Sequence, residues 1–196
     1  AYYELFCGCS LTGSKCAALL IINIRHPKAL IYPPFGGTIV VATSVESCVR
    51  ANFSKSTTCE ALMKNIIIVT GASSGIGLEF VKQLDVFGAD EIWSIGLDWE
   101  NAGEVSLATP LVKMEMDLTN ADQVESFQQR LTEENPNVMW LVNCAGFAKF
   151  GSYEEIPLDV SVNMIELNVV ALVKMSEICI PYMREGSKIV QVASMA

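Results

Sequence analysis

The sequence has few histidines, few charges and no long apolar run. His26 is the only histidine among the 196 residues, and Cys7-Gly8-Cys9 is too closely spaced for a typical zinc pair, so we expect no metal site. The longest apolar run, residues 16–22, is far shorter than the roughly 20 residues that span a membrane. Charged residues form 18% of the chain and the formal net charge is −9, which argues against a nucleic-acid partner held through phosphates.

Two parts of the chain differ in composition. Residues 1–62 carry five basic and three acidic side chains, a balance of +2, which leaves −11 for residues 63–196. Five of the seven cysteines lie in the first part and all eight methionines in the second. We interpret the first part as an unassigned N-terminal segment, an in-frame leader read through to a natural start at Met63. Within it, residues 17–24 are expected to form a buried strand or a short helix, and residues 38–43 a strand.

From residue 63 onward, hydrophobic periodicity alternates between the strand type and the helix type. Short buried runs predict strands, and apolar residues at helical spacing predict the helices between them. The predicted strands span 65–69, 91–96, 111–116, 138–142 and 188–192, and the predicted helices span 76–87, 120 to beyond 130, and 158–183. This order is typical of an α/β protein. We therefore expect a Rossmann-type doubly wound parallel sheet, with five strands present and later strands missing.

A glycine-rich turn, Thr70-Gly-Ala-Ser-Ser-Gly-Ile-Gly77, joins the first predicted strand to the first predicted helix. A dinucleotide pyrophosphate binds where backbone amides and the positive end of a helix approach its oxygens. Gly71 permits a sharp exit from the strand, Gly75 leaves no Cβ in the way of a phosphate, and Gly77 lets helix and sheet pack closely. The turn lacks the Gly-Lys-Ser/Thr ending of a nucleoside triphosphate site. The predicted cofactor contacts of the turn are Gly71, Ser73, Ser74, Gly75, Ile76 and Gly77.

The turn and four later features resemble the short-chain dehydrogenase/reductase family. Asp117 stands after the third strand, where the family has an acidic residue that holds the adenine amino group. Asn143-Cys144-Ala145-Gly146 is similar to the family's Asn-Asn-Ala-Gly motif, with cysteine in place of the second asparagine. Asn168 matches the helix asparagine that supports the proton relay, and Ser194 matches the catalytic serine after the fifth strand. The resemblance covers residues 63–196 only.

The resemblance implies that residues 63–196 are a partial NAD(P)-binding Rossmann domain of an oxidoreductase. It implies hydride transfer between the nicotinamide and a small carbonyl or alcohol substrate, with catalytic roles for Asn168 and Ser194. The further cofactor contacts that it implies are Asp117, Leu118, Asn143, Ala145 and Gly146. The cofactor is NAD or NADP, and Asp98 favours NAD because a carboxylate accepts from a ribose 2′-hydroxyl and repels a 2′-phosphate.

The resemblance also bears on partners and location. The predicted helix over 158–183 is similar to the family's dimer-forming helix, so we expect a homo-oligomer at full length. We expect no nucleic-acid and no membrane partner. The cofactor, together with the absence of a recognisable secretory signal in the sequence, leads us to expect a cytoplasmic protein.

One family feature is absent from the 196 residues. The Tyr-x-x-x-Lys pair that supplies the proton is expected soon after Ser194, yet the residues four positions after Tyr153 and Tyr182 are Pro157 and Gly186. We therefore expect negligible dehydrogenase activity from this chain. We also expect an unpaired sheet edge and exposed apolar surface where later strands would lie. Two alternatives stay open: a non-catalytic dinucleotide-binding or regulatory module, and a fragment without a function of its own.

Overall fold

The computed structural model describes residues 4–5, 17–23, 38–39, 63–100, 102 and 105–194, with side chains described only between Met63 and Ala193. Within these residues the strands are β1 Glu4–Leu5, β2 Ala17–Asn23, β3 Thr38–Ile39, β4 Asn65–Thr70, β5 Glu91–Gly96, β6 Leu111–Glu115, β7 Asn137–Asn143 and β8 Lys188–Ser194. The α-helices are α1 Gly75–Leu84, α2 Ala121–Glu134, α3 Leu158–Ile165 and α4 Leu172–Cys179. The π-helical turn Glu166–Ala171 joins α3 to α4, and the short 3-10 turns Asp85–Phe87 and Ile180–Tyr182 follow α1 and α4.

The main sheet has six strands in the order β2-β8-β7-β4-β5-β6, and β1 pairs with β3 separately. All neighbours from β8 across to β6 are parallel. Within this parallel part the chain passes first through β4 in the middle, adds β5 and β6 to one side, and then returns to add β7 and β8 on the other. This reversal of strand order defines a doubly wound sheet. The predicted α/β fold and its five parallel strands are confirmed.

The outer edge of β8 is covered by β2. The two strands pair antiparallel over seven residues, from Ala17 opposite Ser194 to Asn23 opposite Lys188. The prediction of an unpaired edge is therefore wrong at β8, because β2 supplies the backbone partners that an edge strand lacks. Residues 17–23 form a strand, one of the two alternatives for that stretch. Thr38–Ile39 begins the other predicted strand, and residues 40–43 lie outside the described residues.

Helices cover both faces of the sheet and bury it. On one face α1 packs through Phe80, Val81 and Leu84, which belong to one hydrophobic cluster with side chains of β4, β7 and β8. On the other face α2 and α4 pack through a second cluster that includes Phe127, Leu131, Met175 and Cys179. After Asn65, the central strand β4 is an unbroken run of β-branched residues from Ile66 to Thr70, which suits a strand buried on both faces. The strand ends therefore project from a rigid core.

Most predicted element ends lie within two residues of the observed ones. Asn120 caps α2 as predicted, because its side-chain oxygen accepts hydrogen bonds from the backbone N–H groups of Asp122 and Gln123 at 3.0 and 3.2 Å. Gly88 follows the α1 region with a positive φ of 69°, as a C-terminal glycine should. The predicted helix over 158–183 differs, since a π-helical turn divides it. No helix among the described residues combines the length and apolarity that crossing a membrane would require.

Candidate functional site

The glycine turn leaves the sheet where β4 ends and α1 begins. Gly71 and Gly75 have positive φ angles of 63° and 54°, which favour glycine over residues with a side chain. The side chain of Ser74, at the helix cap, makes no capping bond, and the first turn of α1 holds no acidic residue. The positive end of this helix is therefore not neutralised from within, and its first N–H groups suit an anion.

Two glycines of the turn are required by close packing. A Cβ on Gly77 would overlap the carbonyl of Gly71, and a Cβ on Gly71 would lie 2.9 Å from Ala145 Cα. Gly75 differs, because a Cβ there would meet no atom within 4 Å. The turn is thus pressed against α1 and the segment after β7, while it stays open at Gly75.

A cavity of about 590 Å³ opens beside this turn, at the carboxyl ends of the parallel strands. Its volume lies within the range of small-molecule sites, and its position at the reversal of strand order is where doubly wound sheets bind ligands. The predicted residues that line it are Gly71, Ser73, Ser74, Gly75, Ile76, Gly77, Asp117, Leu118, Ala145 and Gly146. The lining residues that sequence reasoning did not select are Ile95, Gly96, Leu97, Met116, Thr119, Cys144, Phe147, Asn163, Leu167 and Val192.

Two predicted cofactor residues, Asp98 and Asn143, do not line the cavity. A carboxylate oxygen of Asp98 accepts from the backbone N–H of Glu100 at 2.8 Å, and Leu97 instead reaches the cavity. Asn143 is 4% exposed, and its amide donates to Ser176 Oγ at 3.1 Å on the α4 side of the sheet. Successive residues of a strand face opposite ways, which explains why Asn143 turns from the cavity. Cofactor contact by either residue stays a prediction.

Asp117 is held in a fixed orientation at the edge of the cavity. Its Oδ1 accepts from the backbone N–H and the hydroxyl of Thr119, at 2.8 and 2.7 Å. Its backbone N–H donates to Gln123 Oε1 at 2.7 Å. Among the described lining residues, Asp117 is the only one with a charged side chain. The cavity therefore combines one anchored carboxylate with an otherwise neutral wall.

Thr70 is a structural residue of the site that sequence reasoning missed. It is the last residue of β4, and its hydroxyl oxygen accepts from the backbone N–H groups of Cys144 and Ala145 at 3.0 and 3.1 Å. The same hydroxyl donates to the carbonyl of Val142 at 3.4 Å. Thr70 thus fixes the segment after β7 beside the glycine turn. A hydroxyl at the end of an otherwise apolar, buried strand was the available signal.

Asn168 lies on the π-helical turn and hydrogen-bonds the backbone of the segment after β7, which Thr70 also holds. Its side-chain oxygen accepts from the N–H of Phe147 at 3.0 Å, and its amide donates to the carbonyl of Phe147 at 2.9 Å. A Cβ on Gly146 would lie 2.9 Å from that side-chain oxygen, so glycine is needed there. Both ends of the Asn168 amide are engaged in holding the backbone that lines the cavity.

Ser194 is the remaining predicted site residue, and Cys144 is the position at which the sequence departs from the family motif. Ser194 is the last residue of β8, three positions beyond Gln191, and its side chain lies outside the described residues. Cys144 lines the cavity where the family motif has asparagine. Burial raises the pKa of the Cys144 thiol to about 12, so it stays protonated at neutral pH. This cysteine presents a neutral, weakly polar wall and no nucleophilic thiolate.

Comparison with known proteins places this geometry in a family. The sequence profile of the short chain dehydrogenases matches residues 65–196. The chain belongs to this family. Human 17-beta-hydroxysteroid dehydrogenase type 1 is 29% identical over 137 residues, which cover 64% of this chain and 41% of that protein.

Solved structures agree with this short-chain dehydrogenase fold. A 4-hydroxyisoleucine dehydrogenase complexed with NADH matches with a TM-score of 0.52 and 24% identity, over 60% of this chain and 49% of that one. A short-chain dehydrogenase from Sphingobium yanoikuyae in complex with NADPH matches with a TM-score of 0.50 and 22% identity, over 60% and 47%. The chain spans about half the length of the curated relatives it matches.

Proposed function

We propose that this short-chain dehydrogenase binds a nicotinamide dinucleotide along the cavity, and that the whole protein interconverts a small carbonyl compound and its alcohol. One observation carries the proposal: the glycine turn and the amino end of α1 open onto a cavity where the strand order reverses. A nicotinamide cofactor supplies hydride transfer when bound. The residues of this chain bind and orient it.

The residues present fit such a cofactor. The glycine turn offers N–H groups and, at Gly75, open space for the pyrophosphate. Asp117 and Leu118 would hold the adenine end, because an anchored carboxylate beside an apolar side chain suits an amino group on an aromatic ring. The segment 145–147, at the end of β7, would hold the other half. Two of the solved relatives described above were determined with NADH and with NADPH.

The lining favours NAD over NADP. None of the described residues that line the cavity is a lysine or arginine, so the lining offers no cation to a 2′-phosphate. Leu97 stands at the end of β5, and Asp98, the next residue, would repel a phosphate that came near. The contribution of Asp98 to a ribose contact is part of this proposal.

Catalytic roles are proposed for Asn168 and Ser194 on the family resemblance. The clasp of Asn168 on Phe147 supports a role in positioning the segment that lines the cavity. Because the 196 residues hold no Tyr-x-x-x-Lys pair, we propose that this chain binds cofactor without turning over substrate. The alternative, a non-catalytic dinucleotide-binding or regulatory module, would bind without turnover even in the longest natural form of the protein.

Titration calorimetry of the 196-residue chain with NADH and NADPH tests the proposed function. We expect saturable 1:1 binding of NADH and binding of NADPH weaker by about tenfold or more, since no described lining residue pairs with the extra phosphate. An absence of saturable binding for both nucleotides would refute the site. A preference for NADPH would refute only the assignment of NAD.

We also propose that the whole protein lies in the cytoplasm. We further propose that it forms a homo-oligomer through the helical region made of α3, the π-helical turn and α4. Apolar side chains that are 49–80% exposed follow one face of α3, the π-helical turn and α4 at intervals of three or four residues: Leu158, Val162, Ile165, Val169 and Val173. A stripe of this kind suits a second copy of the same helix. Sedimentation of the wild type and of an Ile165→Asp variant tests it, because only the wild type should self-associate.

A further inference from the structure

Three polar side chains, the buried Asn143 and Gln191 and the half-buried Ser176, meet beneath the carboxyl ends of β7 and β8. Ser176 on α4 donates to the carbonyl of Leu172 at 2.8 Å, the back-bond of a helical serine. The oxygen of the same hydroxyl accepts from the amide of Asn143 at 3.1 Å and from the amide of Gln191 at 3.0 Å. One hydroxyl therefore joins a helix to two neighbouring strands.

The two amides depend on this hydroxyl. Asn143 and Gln191 are register partners on adjacent strands and are 4% and 8% exposed. None of the described residues donates to the side-chain oxygen of either amide. Within the described residues, the bond to Ser176 is thus the one hydrogen bond that each of these side-chain amides makes. Removal of the hydroxyl would leave both with a buried, unsatisfied donor.

The strand residues held in this way lead directly into the cavity. Asn143 precedes Cys144, Ala145 and Gly146, which line it. Gln191 precedes Val192, which lines it too. The opposite end of the cavity, at Asp117 and Leu118, belongs to the segment after β6, and within the described residues Ser176 makes no hydrogen bond to that segment. A loss of the Ser176 hydroxyl should therefore act on one half of the site.

We propose that Ser176 is a positioning residue for the nicotinamide half of the site. It sets the spacing and orientation of the ends of β7 and β8 by fixing Asn143 and Gln191 to α4. This proposal rests on the proposed function, because it takes the adenine end of the dinucleotide to lie at Asp117. Through the two amides, Ser176 should therefore strengthen the binding of NADH. It should not affect the binding of a ligand that occupies only the adenine half.

The test compares NADH with AMP, which would occupy only the adenine half. Calorimetric titrations of the 196-residue chain are made well below its unfolding temperature, with Ser176→Ala, Ser176→Thr and Ser126→Ala. Ser126 is the matched control, since its hydroxyl makes the same 2.8 Å back-bond to Asp122 on α2 and is exposed. We expect Ser176→Ala to weaken NADH about tenfold and to leave AMP within about twofold, because two hydrogen bonds are lost.

Ser176→Thr keeps the hydroxyl, so it should restore NADH binding to within about threefold of the wild type, and Ser126→Ala should match the wild type. If Ser176→Ala does not fold, Gln191→Met carries the same comparison with a smaller loss for NADH. Unchanged NADH affinity, or an equal loss for NADH and AMP, would overturn the positioning role. A wild type that binds neither ligand would overturn the proposed function itself and this inference with it.

Discussion

Two sides of the cavity, the glycine turn and the ends of β7 and β8, are built in different ways. The glycine turn is local: eight consecutive residues supply the exit from β4, the positive φ angles and the start of α1. The ends of β7 and β8 are held by side chains from distant parts of the chain. Thr70 reaches Cys144 across 74 positions, Asn143 reaches Ser176 across 33, and Phe147 reaches Asn168 across 21. A site built from local backbone can be predicted from a motif, whereas a site held by side chains requires the fold.

The largest effect on stability and on NADH affinity is expected from a substitution in the glycine turn. Gly77→Ala adds a methyl group that overlaps the Gly71 carbonyl. Alanine favours a helix by about 1 kcal/mol, but a clash with backbone cannot be relieved by a rotamer change and costs more. We expect a net loss of about 2 kcal/mol in the free energy of unfolding and a loss of NADH affinity of at least about 100-fold. Urea unfolding and calorimetry measure the two effects.

Gly151→Ala is the control for this substitution. A Cβ there would lie 3.1 Å from Glu155 Oε2, an exposed side-chain oxygen that accepts from the Ser152 N–H at 2.8 Å and needs to move by only a few tenths of an ångström. We expect a change in stability below about 0.5 kcal/mol and unchanged NADH affinity. If Gly77→Ala behaved like this control, the close packing of the turn on α1 would not be needed for the site.

The next largest effect is expected at Thr70, whose hydroxyl joins the start of the glycine turn to the segment after β7. Thr70→Val preserves the shape of the side chain but leaves the half-buried N–H groups of Cys144 and Ala145 without their acceptor. We expect a loss of about 2 kcal/mol in stability, because two backbone donors lose their partner. Thr70→Ser keeps the hydroxyl and should recover most of it. Equal urea midpoints for the valine and serine variants would contradict the role of the hydroxyl.

A smaller, pH-dependent effect concerns the loop between β5 and β6. Asp85, after α1, accepts from the N–H groups of Ala108 and Thr109 at 2.8 and 2.7 Å. Burial pushes the pKa of Asp85 upward, but these bonds outweigh it and hold the pKa below its ordinary 3.8. A lowered folded pKa contributes stability above the ordinary pKa, and that stability is lost as the pH falls through the folded pKa.

Asp85→Asn should therefore lower the thermal unfolding temperature at neutral pH and have progressively less effect in acid, below about pH 4. The exposed Asp159→Asn serves as the control on α3. Unfolding curves between about pH 7 and pH 2 measure the difference between each variant and the wild type. A difference for Asp85→Asn that stays constant over this range would contradict the assigned pKa direction.

The smallest effect lies at the other end of the strands, far from the cavity. Lys64 bridges Glu91 at 2.6 Å and Glu134 at 3.3 Å, and Arg130 also pairs with Glu134 at 2.7 Å. These side chains are partly exposed, so Lys64→Met should cost less than about 1 kcal/mol. NADH affinity should not change. A weakened affinity would show that the site depends on the whole sheet and not on its carboxyl end.

The sequence predicted the elements and the position of the glycine turn well. Buried β-branched runs located the parallel strands. Asn120 and Gly88 marked helix ends, because the capping hydrogen bond of Asn120 and the positive φ of Gly88 depend only on residues nearby in the sequence. The same holds for the glycine turn, where every predicted cofactor residue lines the cavity. Local physical chemistry determines these features, so a single sequence carries them.

The rest depends on contacts between distant residues. Alternation along β7 turns the amide of Asn143 toward Ser176, and this distant partner has no signal in the sequence. Contact of Asn143 with the cofactor stays a prediction. The π-helical turn at Asn168 has no sequence signal, because its extra residue is accommodated by tertiary packing. The pairing of β2 with β8 was likewise invisible, since strand partners are chosen by the assembled sheet.

Hydrogen–deuterium exchange of the 196-residue chain with and without NADH tests the central claim most directly. If the dinucleotide spans the cavity, backbone amides should become protected together in residues 71–78, 116–119 and 144–147, which lie far apart in sequence and meet only at the carboxyl edge of the sheet. AMP should protect the first two segments and leave 144–147 unchanged. Protection by NADH that omits the glycine turn, or that appears only outside these three segments, would contradict the account.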